Sequence, residues 1–220
     1  FKLNKFKILI PTNFGSGSEV TRISVLKVNG EKKSFHDDKL FADISIIDSN
    51  FIKNTPKKII NYSAIDACAQ CTEAFDSKLS NNYTKFLGKK AFEYLEDGIL
   101  NDNQEKIVFG SLLSGLSFGN ASTTLGHALS YVFSNEGISH GHALGFTTTI
   151  AHEFNKSVFF ERFKKIILKM DIPKIRLNQD LTEASKLIMT DSKHIDNNPI
   201  PITQENIFNL LKRINDEQVF

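Results

Sequence analysis

The hydrophobic pattern of the chain changes at Pro56, and this change limits the folds that the sequence can adopt. Before Pro56, apolar residues alternate with polar ones or form short runs, as they do in β-strands. The candidate strands cover residues 7–12, 19–28, 31–35 and 42–48. The pair Asn29-Gly30 separates two of them and favours a β-hairpin, because both turn residues must accept positive φ. The run at 7–12 is expected to be a buried strand whose neighbours lie outside this sequence.

After Pro56, apolar residues recur at helical spacing. Candidate helices cover residues 63–78, 84–97, 104–118, 122–133, 140–154 and 203–215, with a weaker pair between 157 and 189. Thr203 is expected to cap the last helix, with Asn206 at the third helical position. Segment 191–202 is expected to be a loop because of its Asn and Pro content. The sequence therefore predicts an α+β fold, in which the strands of residues 1–55 precede an all-α domain of residues 56–220.

Charge and composition exclude several classes of partner. The chain has 27 basic and 25 acidic residues mixed along its length, so we expect no nucleic-acid partner. No apolar run approaches the length of a membrane span. Only two cysteines occur, Cys68 and Cys71, and we interpret both as small core residues rather than as a redox or zinc pair. These features favour a cytoplasmic protein that acts on a small molecule.

Four polar residues of the helical part have the types and spacing of metal ligands. Asp66 and Gln70 stand four residues apart, on one face of a helix that is otherwise apolar. His127 lies in a second apolar helix, and His140 follows it by 13 residues, which is enough for a tight return that brings the two imidazoles together. Imidazole and carboxylate ligands together suit zinc or ferrous iron. The alternative, a polar helix face and a satisfied core histidine, stays open at this point.

Four motifs follow one another along the chain: PTNFGSGSEVT from Pro11, IDACAQCTEAFDS from Ile65, GNASTTLGHALSY from Gly119 and ISHGHAL from Ile138, with a weaker fifth segment, HIDNNPIPIT. In sequence and order they resemble the motifs of the iron-containing (group III) alcohol dehydrogenases, which have the dehydroquinate synthase-like fold. The combination is most similar to the branch that contains phosphonoacetaldehyde reductases. By this resemblance, residues 1–55 are the end of a nucleotide-binding domain, and residues 56–220 are the helical metal and substrate domain.

The resemblance implies one divalent metal, Fe²⁺ or Zn²⁺, held by four positions of this chain. These positions are Asp66, Gln70, His127 and His140. Gln70 departs from the family's histidine, and an amide oxygen is a weaker ligand than imidazole, so the site could keep only three strong ligands. Tyr131 stands where the family pattern has a second histidine, and His142 is an alternative candidate for a catalytic proton donor.

The resemblance also implies that the loop after the first strand contacts a nicotinamide cofactor, NAD or NADP. Its glycines would allow close approach of the backbone to the cofactor. The candidate cofactor-binding residues are Thr12, Asn13, Gly15, Ser16 and Ser18 of the loop, and Lys33 of the hairpin.

The implied activity is hydride transfer between NAD(P) and a small aldehyde or alcohol, such as a phosphonate-bearing aldehyde. Two alternatives remain: a non-catalytic or decayed metal-binding scaffold, and a metal-dependent lyase of the same fold. The chain begins with Phe1 and lacks the family's upstream GGGSxxD motif, so we expect it to be a piece of a longer protein and to be inactive alone. Family members commonly form dimers or larger assemblies, which we also expect here.

Overall fold

The computed structural model describes residues 5–28 and 31–220 of the chain. The first part contains four strands: β1 (Ile8–Leu9), β2 (Ile23–Val28), β3 (Glu31–His36) and β4 (Ile44–Ser45). Strands β2 and β3 pair antiparallel, with Ile23 opposite His36, whereas β1 and β4 pair parallel. The pairing confirms the predicted hairpin, and its turn, Asn29 and Gly30, lies outside the described residues.

The sequence predicts that neighbours outside this chain bury the first strand, and within the described residues that strand is exposed. The strand is only two residues long, and Ile8 and Ile10 are 49% and 47% exposed. Its single partner among the described strands is β4, which is equally short and carries the exposed Ile44. A strand that pairs along one edge leaves its side chains in solvent unless another layer covers them.

The rest of the described chain is mainly helical, as the sequence predicts, although the first helix begins at Lys57 rather than at residue 63. The helices are α1 (Lys57–Asp76), α2 (Asn82–Leu100), α3 (Gln104–Ala121), α4 (Leu125–Asn135), α5 (His140–Asn155), α6 (Phe160–Met170), α7 (Leu181–Met189), α8 (Ser192–Asn197) and α9 (Gln204–Asn215). Helix α1 packs against α2, α3 and α5 and is central to the bundle. None of the described helices is both long and apolar enough to span a membrane.

Helix boundaries follow the local capping chemistry. Thr203 caps α9 as predicted, since its hydroxyl accepts the N–H of Asn206 and the Asn206 side chain accepts the N–H of Thr203. Helix α4 begins at Leu125 rather than at residue 122, because Ser122 has a φ of 60° and interrupts the helical path. Helix α8 lies within the segment predicted to be a loop, so that prediction is wrong for residues 192–197.

Two apolar clusters form most of the core. One joins α4 and α5 to α7 and α9 around Phe133 and Ile150, and the other joins α1 and α2 to α6 around Phe92 and Phe163. Cys68 and Cys71 are fully buried free thiols of the second cluster, and burial raises the pKa of both. A thiol with a raised pKa is a poor nucleophile and metal ligand, which agrees with the interpretation of both cysteines as core residues.

Two titratable side chains lie side by side on α5 and α1: His152 is buried, and Asp76 is half-buried. The Thr72 hydroxyl donates to the Cys68 carbonyl oxygen at 2.7 Å, so it accepts the Nε2–H of His152 at 2.8 Å. The lone pair of His152 Nδ1 then faces Asp76 Oδ2, 3.7 Å away, an oxygen without a hydrogen-bond donor in the described part of the chain. Burial raises the pKa of Asp76 to about 6 and lowers that of His152 to about 4. Asp76 is therefore neutral below about pH 6, and His152 is neutral above about pH 4.

Asp76→Asn is expected to stabilise the protein near pH 8 and to change little near pH 4. The folded-state pKa of Asp76 lies above its ordinary value of 3.8, so its contribution to stability is complete below that pH and is lost as the pH rises through about 6. Asparagine stays neutral and can donate to His152 Nδ1, so the free energy of unfolding should rise by about 1–2 kcal/mol at pH 8. Denaturant unfolding of both proteins at the two pH values measures the difference. The exposed Asp216→Asn serves as control, and an equal gain at both pH values would contradict this account.

Candidate metal centre

One face of α1 carries three polar side chains into the interior of the helical part. Asp66, Gln70 and Glu73 are spaced by four and three residues, which places them on the same side of the helix. The Asp66 side chain is 15% exposed, while Gln70 and Glu73 are buried. Since buried carboxylates are costly unless they are paired, this face requires partners from other helices.

Helices α4 and α5 supply these partners from their first turns. His127 Nε2 lies 3.6 Å from Asp66 Oδ1, and His140 Nε2 lies 3.8 Å from the same oxygen. The other ring nitrogen of each histidine contacts protein: His127 Nδ1 lies 2.5 Å from Glu73 Oε2, and His140 Nδ1 lies 3.3 Å from Ser130 Oγ. Both imidazoles therefore direct Nε2 toward Asp66.

The three side chains have a geometry that fits a divalent transition metal. One ligand atom from each of Asp66, His127 and His140 lies within 4.8 Å of the other two. Metal–ligand bonds of about 2.1 Å at a tetrahedral angle place ligand atoms about 3.4 Å apart. The separations of 3.6 and 3.8 Å require only small movements to reach that value. The donor set, one carboxylate and two imidazoles, also matches the ligands of zinc and ferrous iron.

Glu73 orients His127 and caps α4. Its carboxylate accepts hydrogen bonds from the backbone N–H groups of Thr124 and Gly126, from the Thr124 hydroxyl and from His127 Nδ1. Thr124 is the N-cap residue of α4 but makes no side-chain cap of its own, so Glu73 satisfies these terminal donors. A carboxylate at a helix N-terminus is also favoured by the helix dipole. The same group thus fixes both the helix end and the tautomer of its histidine.

Glu73 and His127 form a buried pair in which the pKa of the carboxyl group is lowered and the pKa of the imidazole is raised. Burial would raise the pKa of Glu73, but the charge and hydrogen bond of His127 lower it below its ordinary value. Burial would lower the pKa of His127, but Glu73 and Asp66 outweigh it and raise the pKa. Glu73 is therefore a fixed anion behind the ligand, the arrangement in which an outer carboxylate strengthens an imidazole ligand.

Gln70 lies beside this cluster with its amide nitrogen toward Asp66. Gln70 Nε2 donates to Asp66 Oδ1 at 3.1 Å, while its Oε1 lies 3.5 Å from the Ser114 hydroxyl, which donates to the Ala67 carbonyl oxygen. The amide oxygen would have to turn toward the histidines to bind a metal. The ligand role of Gln70 stays a prediction, and the geometry brings together the other three predicted ligands.

A cavity of about 410 Å³ opens in front of the cluster. Its lining includes Asp66, Gln70, His127 and His140 on one side and Ser16 and Ser18 of the N-terminal loop on another. The remaining lining residues are Thr21, Ile23, Ser24, Val25, Ser34, Phe118, Ser122, Thr123, Tyr131, Lys193 and His194. A volume of this size is typical of small-molecule sites.

The glycines of the N-terminal loop pack against helices. A Cβ at Gly15 would meet the Ser63 carbonyl oxygen at 2.5 Å, and one at Gly17 would meet Gly115 Cα at 2.5 Å. Gly17 also has a φ of 58°, which favours glycine. These contacts fix the loop on α1 and α3, so that the hydroxyls of Ser16 and Ser18 reach the cavity.

The other predicted cofactor residues lie away from the cavity lining or outside the described side chains. Asn13 Oδ1 accepts the Ser63 hydroxyl at 2.9 Å, and Thr12 is exposed. The backbone of Lys33 pairs with Leu26 in the hairpin, but its side chain is not among those described. The cofactor role of these three residues stays a prediction.

His142 points away from the metal ligands. Its Nε2 lies 2.5 Å from the Pro173 carbonyl oxygen, and its ring stacks on Tyr62 with centroids 4.9 Å apart. It is absent from the cavity lining of the described residues. The predicted role of His142 as proton donor would require the bond to Pro173 to open.

Two residues of the site were not identified from the sequence. Glu73 follows Asp66 by seven residues, and this helical spacing could have placed it on the ligand face. His194 lies in α8, within the segment predicted to be a loop, and its ring centroid is 6.3 Å from that of His127 and 5.7 Å from that of Tyr131. No local spacing signal links His194 to the metal ligands.

Curated relatives of the chain are alcohol dehydrogenases and aldehyde reductases. It is 39% identical over 153 residues to a 4-hydroxybutyrate dehydrogenase of Clostridium kluyveri, a match that covers 64% of this chain and 41% of the relative. It is 30% identical over 159 residues to a sulfoacetaldehyde reductase of Bilophila wadsworthia, covering 67% of this chain and 41% of the relative. The matches thus span less than half the length of these two relatives.

Solved structures with the same fold include two from this group of proteins. An iron-containing alcohol dehydrogenase from Thermococcus thioreducens superposes with a TM-score of 0.88 at 21% identity, covering 98% of this chain and 66% of that one. A sulfoacetaldehyde reductase from Bifidobacterium kashiwanohense, solved in complex with NAD⁺, gives a TM-score of 0.85 at 23% identity and covers 97% and 68%. These similarities confirm the fold class expected from the sequence.

Two family models match the chain in sequence order. The model of the iron-containing alcohol dehydrogenases matches residues 4–49, and the model of the C-terminal part of the same family matches residues 60–188. The second match alone covers more than half of the chain. The chain therefore belongs to the iron-containing alcohol dehydrogenase family.

Proposed function

We propose that the complete protein is a metal-dependent, NAD(P)-linked alcohol dehydrogenase or aldehyde reductase. The observation that carries this proposal is the convergence of Asp66, His127 and His140 on a cavity that is also lined by Ser16 and Ser18. Metal-assisted hydride transfer requires a metal site beside a cofactor site. Here the three candidate metal ligands lie beside the hydroxyls of the loop that resembles a cofactor-binding loop. The names of the relatives, which are dehydrogenases and reductases, support the same reaction class.

Asp66, His127 and His140 would hold the metal, either Fe²⁺ or Zn²⁺, and Gln70 would join them if its amide turned. When bound, such an ion supplies Lewis-acid polarisation of a carbonyl oxygen. Glu73 keeps the proton of His127 on Nδ1, which leaves Nε2 free to act as a ligand. Ser130 Oγ contacts Nδ1 of His140, just as Glu73 contacts Nδ1 of His127.

Residues 1–55 would form the end of the nucleotide-binding domain, and residues 56–220 the helical metal and substrate domain. In this arrangement Ser16 and Ser18 contact NAD or NADP from one side of the cavity. The apolar side chains of Ile23 and Phe118 line the same space and exclude water from the reacting atoms. The NAD⁺ complex of the solved sulfoacetaldehyde reductase supports a nicotinamide cofactor.

The reaction would convert a small aldehyde, NAD(P)H and a proton into the alcohol and NAD(P)⁺. Hydride moves from the nicotinamide to the carbonyl carbon, and the oxygen gains the proton. We retain His142 as the candidate proton donor, which reaches the cavity only when its hydrogen bond to Pro173 is open. Since Cys68 and Cys71 are buried free thiols, the proposal places the enzyme in the reducing cytoplasm.

The test is aldehyde-dependent oxidation of NADH or NADPH by the complete protein, purified without chelators. We expect turnover with short aldehydes, its loss on removal of metal by a chelator, and its recovery on addition of Fe²⁺ or Zn²⁺. Recovery after metal addition shows that the chelator did not simply unfold the protein. Metal binding without any oxidation of NAD(P)H would contradict the proposal and would favour the scaffold or the lyase.

A further inference from the structure

The side of the cavity formed by α8 carries a cation whose partner is not a carboxylate. Lys193 and His194 both line the cavity, and both belong to this short helix. Among the described lining residues, Lys193 is the one lysine or arginine, and Asp66 is the one carboxylate. Because Asp66 belongs to the metal centre, no acidic side chain of the lining remains to balance Lys193.

The direct contact of Lys193 is a histidine ring nitrogen rather than a carboxylate. Its Nζ lies 3.0 Å from His36 Nε2, and within the described part of the chain it makes no ion pair. Asp191 attracts Lys193 through space, but Asp191 Oδ2 lies 2.6 Å from His194 Nδ1 and is already engaged there. An exposed ammonium with a neutral nitrogen partner retains the capacity to bind an anion.

The side of the cavity next to Lys193 is rich in hydroxyl groups. Burial, and then the charges of Lys193 and Arg22, lower the pKa of His36, so the ring nitrogen that Lys193 contacts favours its neutral form. Ser34 Oγ lies 2.9 Å from His36 Nε2. Ser34 lines the cavity together with Ser24 of the paired strand. Hydroxyl donors around a lysine are a typical setting for carboxylate, sulfonate or phosphonate oxygens.

His194 connects this cationic end with the metal centre. Its Nδ1 contacts Asp191, so its Nε2 is the nitrogen available to the cavity. Its ring lies nearly parallel to that of His127, with centroids 6.3 Å apart. A short chain molecule could therefore contact the metal ligands at one end and Lys193 at the other.

We propose that Lys193, assisted by His194, binds the anionic group at the far end of the aldehyde substrate. The substrate class is a short aldehyde that carries a carboxylate, sulfonate or phosphonate, and this inference rests on the proposed function. With a divalent metal bound beside Asp66, the charged side chains of the lining, Asp66 and Lys193, and the metal would together be positive, and an anionic substrate would neutralise this charge. Two relatives carry the names of substrates with such groups, 4-hydroxybutyrate and sulfoacetaldehyde.

The competing use of Lys193 is a contact with the diphosphate of the cofactor, which offers the same anionic oxygens. The two uses differ in the ligand that loses affinity when the charge is removed. Lys193→Met removes the ammonium but keeps the side-chain length, whereas Lys193→Arg keeps the charge. Lys186→Met is the matched control, because Lys186 pairs with Glu183 on α7 and lies outside the cavity lining.

The first readout is binding without turnover. Calorimetric titration of the complete protein, without cofactor, compares 4-hydroxybutyrate with its neutral amide, 4-hydroxybutanamide. We expect the acid to bind about 10- to 100-fold more tightly, the range that hydrogen bonds to charged groups supply. Lys193→Met should remove most of this difference, while Lys193→Arg and Lys186→Met should keep it. Equal binding of acid and amide by the unaltered protein would overturn the proposal.

The second readout is selectivity in turnover. The ratio of kcat/KM for 4-oxobutanoate to that for 4-oxobutanamide should fall about 10- to 100-fold in Lys193→Met. A larger loss of NAD(P)H affinity than of acid affinity in that variant would assign Lys193 to the cofactor and overturn the proposal. If neither aldehyde is reduced by the unaltered protein, the proposed function fails, and the binding readout still decides whether this anion subsite exists.

Discussion

Glu73→Gln is expected to lower the affinity for a divalent metal by about 10- to 100-fold, the usual cost of losing an outer partner of a metal-binding histidine. The glutamate accepts hydrogen bonds from Thr124, Gly126 and His127 with two oxygens. Glutamine has one acceptor oxygen, so its NH₂ group must face a donor. Each buried donor left without an acceptor costs about 1–3 kcal/mol of stability. His127 also loses its contact with the negative charge of Glu73, which fixes the orientation of its ring.

Competition titration against a chromogenic chelator measures the metal affinity, and denaturant unfolding measures the stability. Glu205→Gln is the control, because it removes one negative charge from an exposed residue in the first turn of α9 that does not line the cavity. The control should retain the affinity of the unaltered protein. Unchanged affinity in a folded Glu73→Gln variant would contradict the role assigned to Glu73.

Gly141→Ala is expected to destabilise the protein by about 3 kcal/mol or more, the upper part of the range for overpacking a core. Gly141 is buried in the first turn of α5, where an added Cβ would overlap the carbonyl group of Tyr62, with the carbonyl carbon at 2.6 Å. Because the clash is with backbone, it can be relieved only if α5 moves away from α1. That movement would displace the adjacent His140 from Asp66, so metal affinity should fall as well.

Gly119→Ala is the matched control for Gly141→Ala, since it is also a glycine within a helix. Its added Cβ would approach only the Thr21 side chain, with Cγ2 at 3.1 Å, and alanine is the better helix former. The free energy of unfolding should stay within about 1 kcal/mol of the original. Equal stability and metal affinity in both variants would contradict the close packing of α5 on α1.

The helical part was predictable because its signals are local. The spacing of apolar residues gave the types and order of the long helices, and the capping box of Thr203 and Asn206 gave the start of α9. The hairpin followed from the alternating runs around Asn29-Gly30. The position of α4 was less accurate, because the positive φ of Ser122 depends on how the chain passes from α3 to α4 rather than on residue type.

Helix α8 was missed because distant contacts stabilise it. The Asn197 side chain donates to the carbonyl oxygens of Ala121 and Thr123, and the backbone carbonyl oxygen of Asn197 accepts the N–H of Lys78. Asn197, one of the residues that suggested a loop, therefore connects α8 with the end of α1 and with the segment between α3 and α4. His194 reaches the cavity only through these contacts, so its position could not be derived from sequence spacing.

The metal ligands were predictable in part. The helical spacing on α1 and the tight return between α4 and α5 allowed Asp66, His127 and His140 to converge, and the structure brings them together. The orientation of Gln70 depends on its contacts with Asp66 and Ser114, and that of His142 depends on its contact with Pro173. The sequence does not indicate which atoms these contacts join.

The most direct test of the account is the metal content of the complete protein, purified without chelators, beside that of His140→Ala. We predict about one equivalent of iron, zinc or a similar divalent ion in the unaltered protein and its loss in the folded variant, because two remaining ligands bind such ions weakly. Circular dichroism establishes that the variant is folded. An absence of metal in the unaltered protein after addition of Fe²⁺ or Zn²⁺, or an equal metal content in both proteins, would contradict the claim that Asp66, His127 and His140 form one metal site.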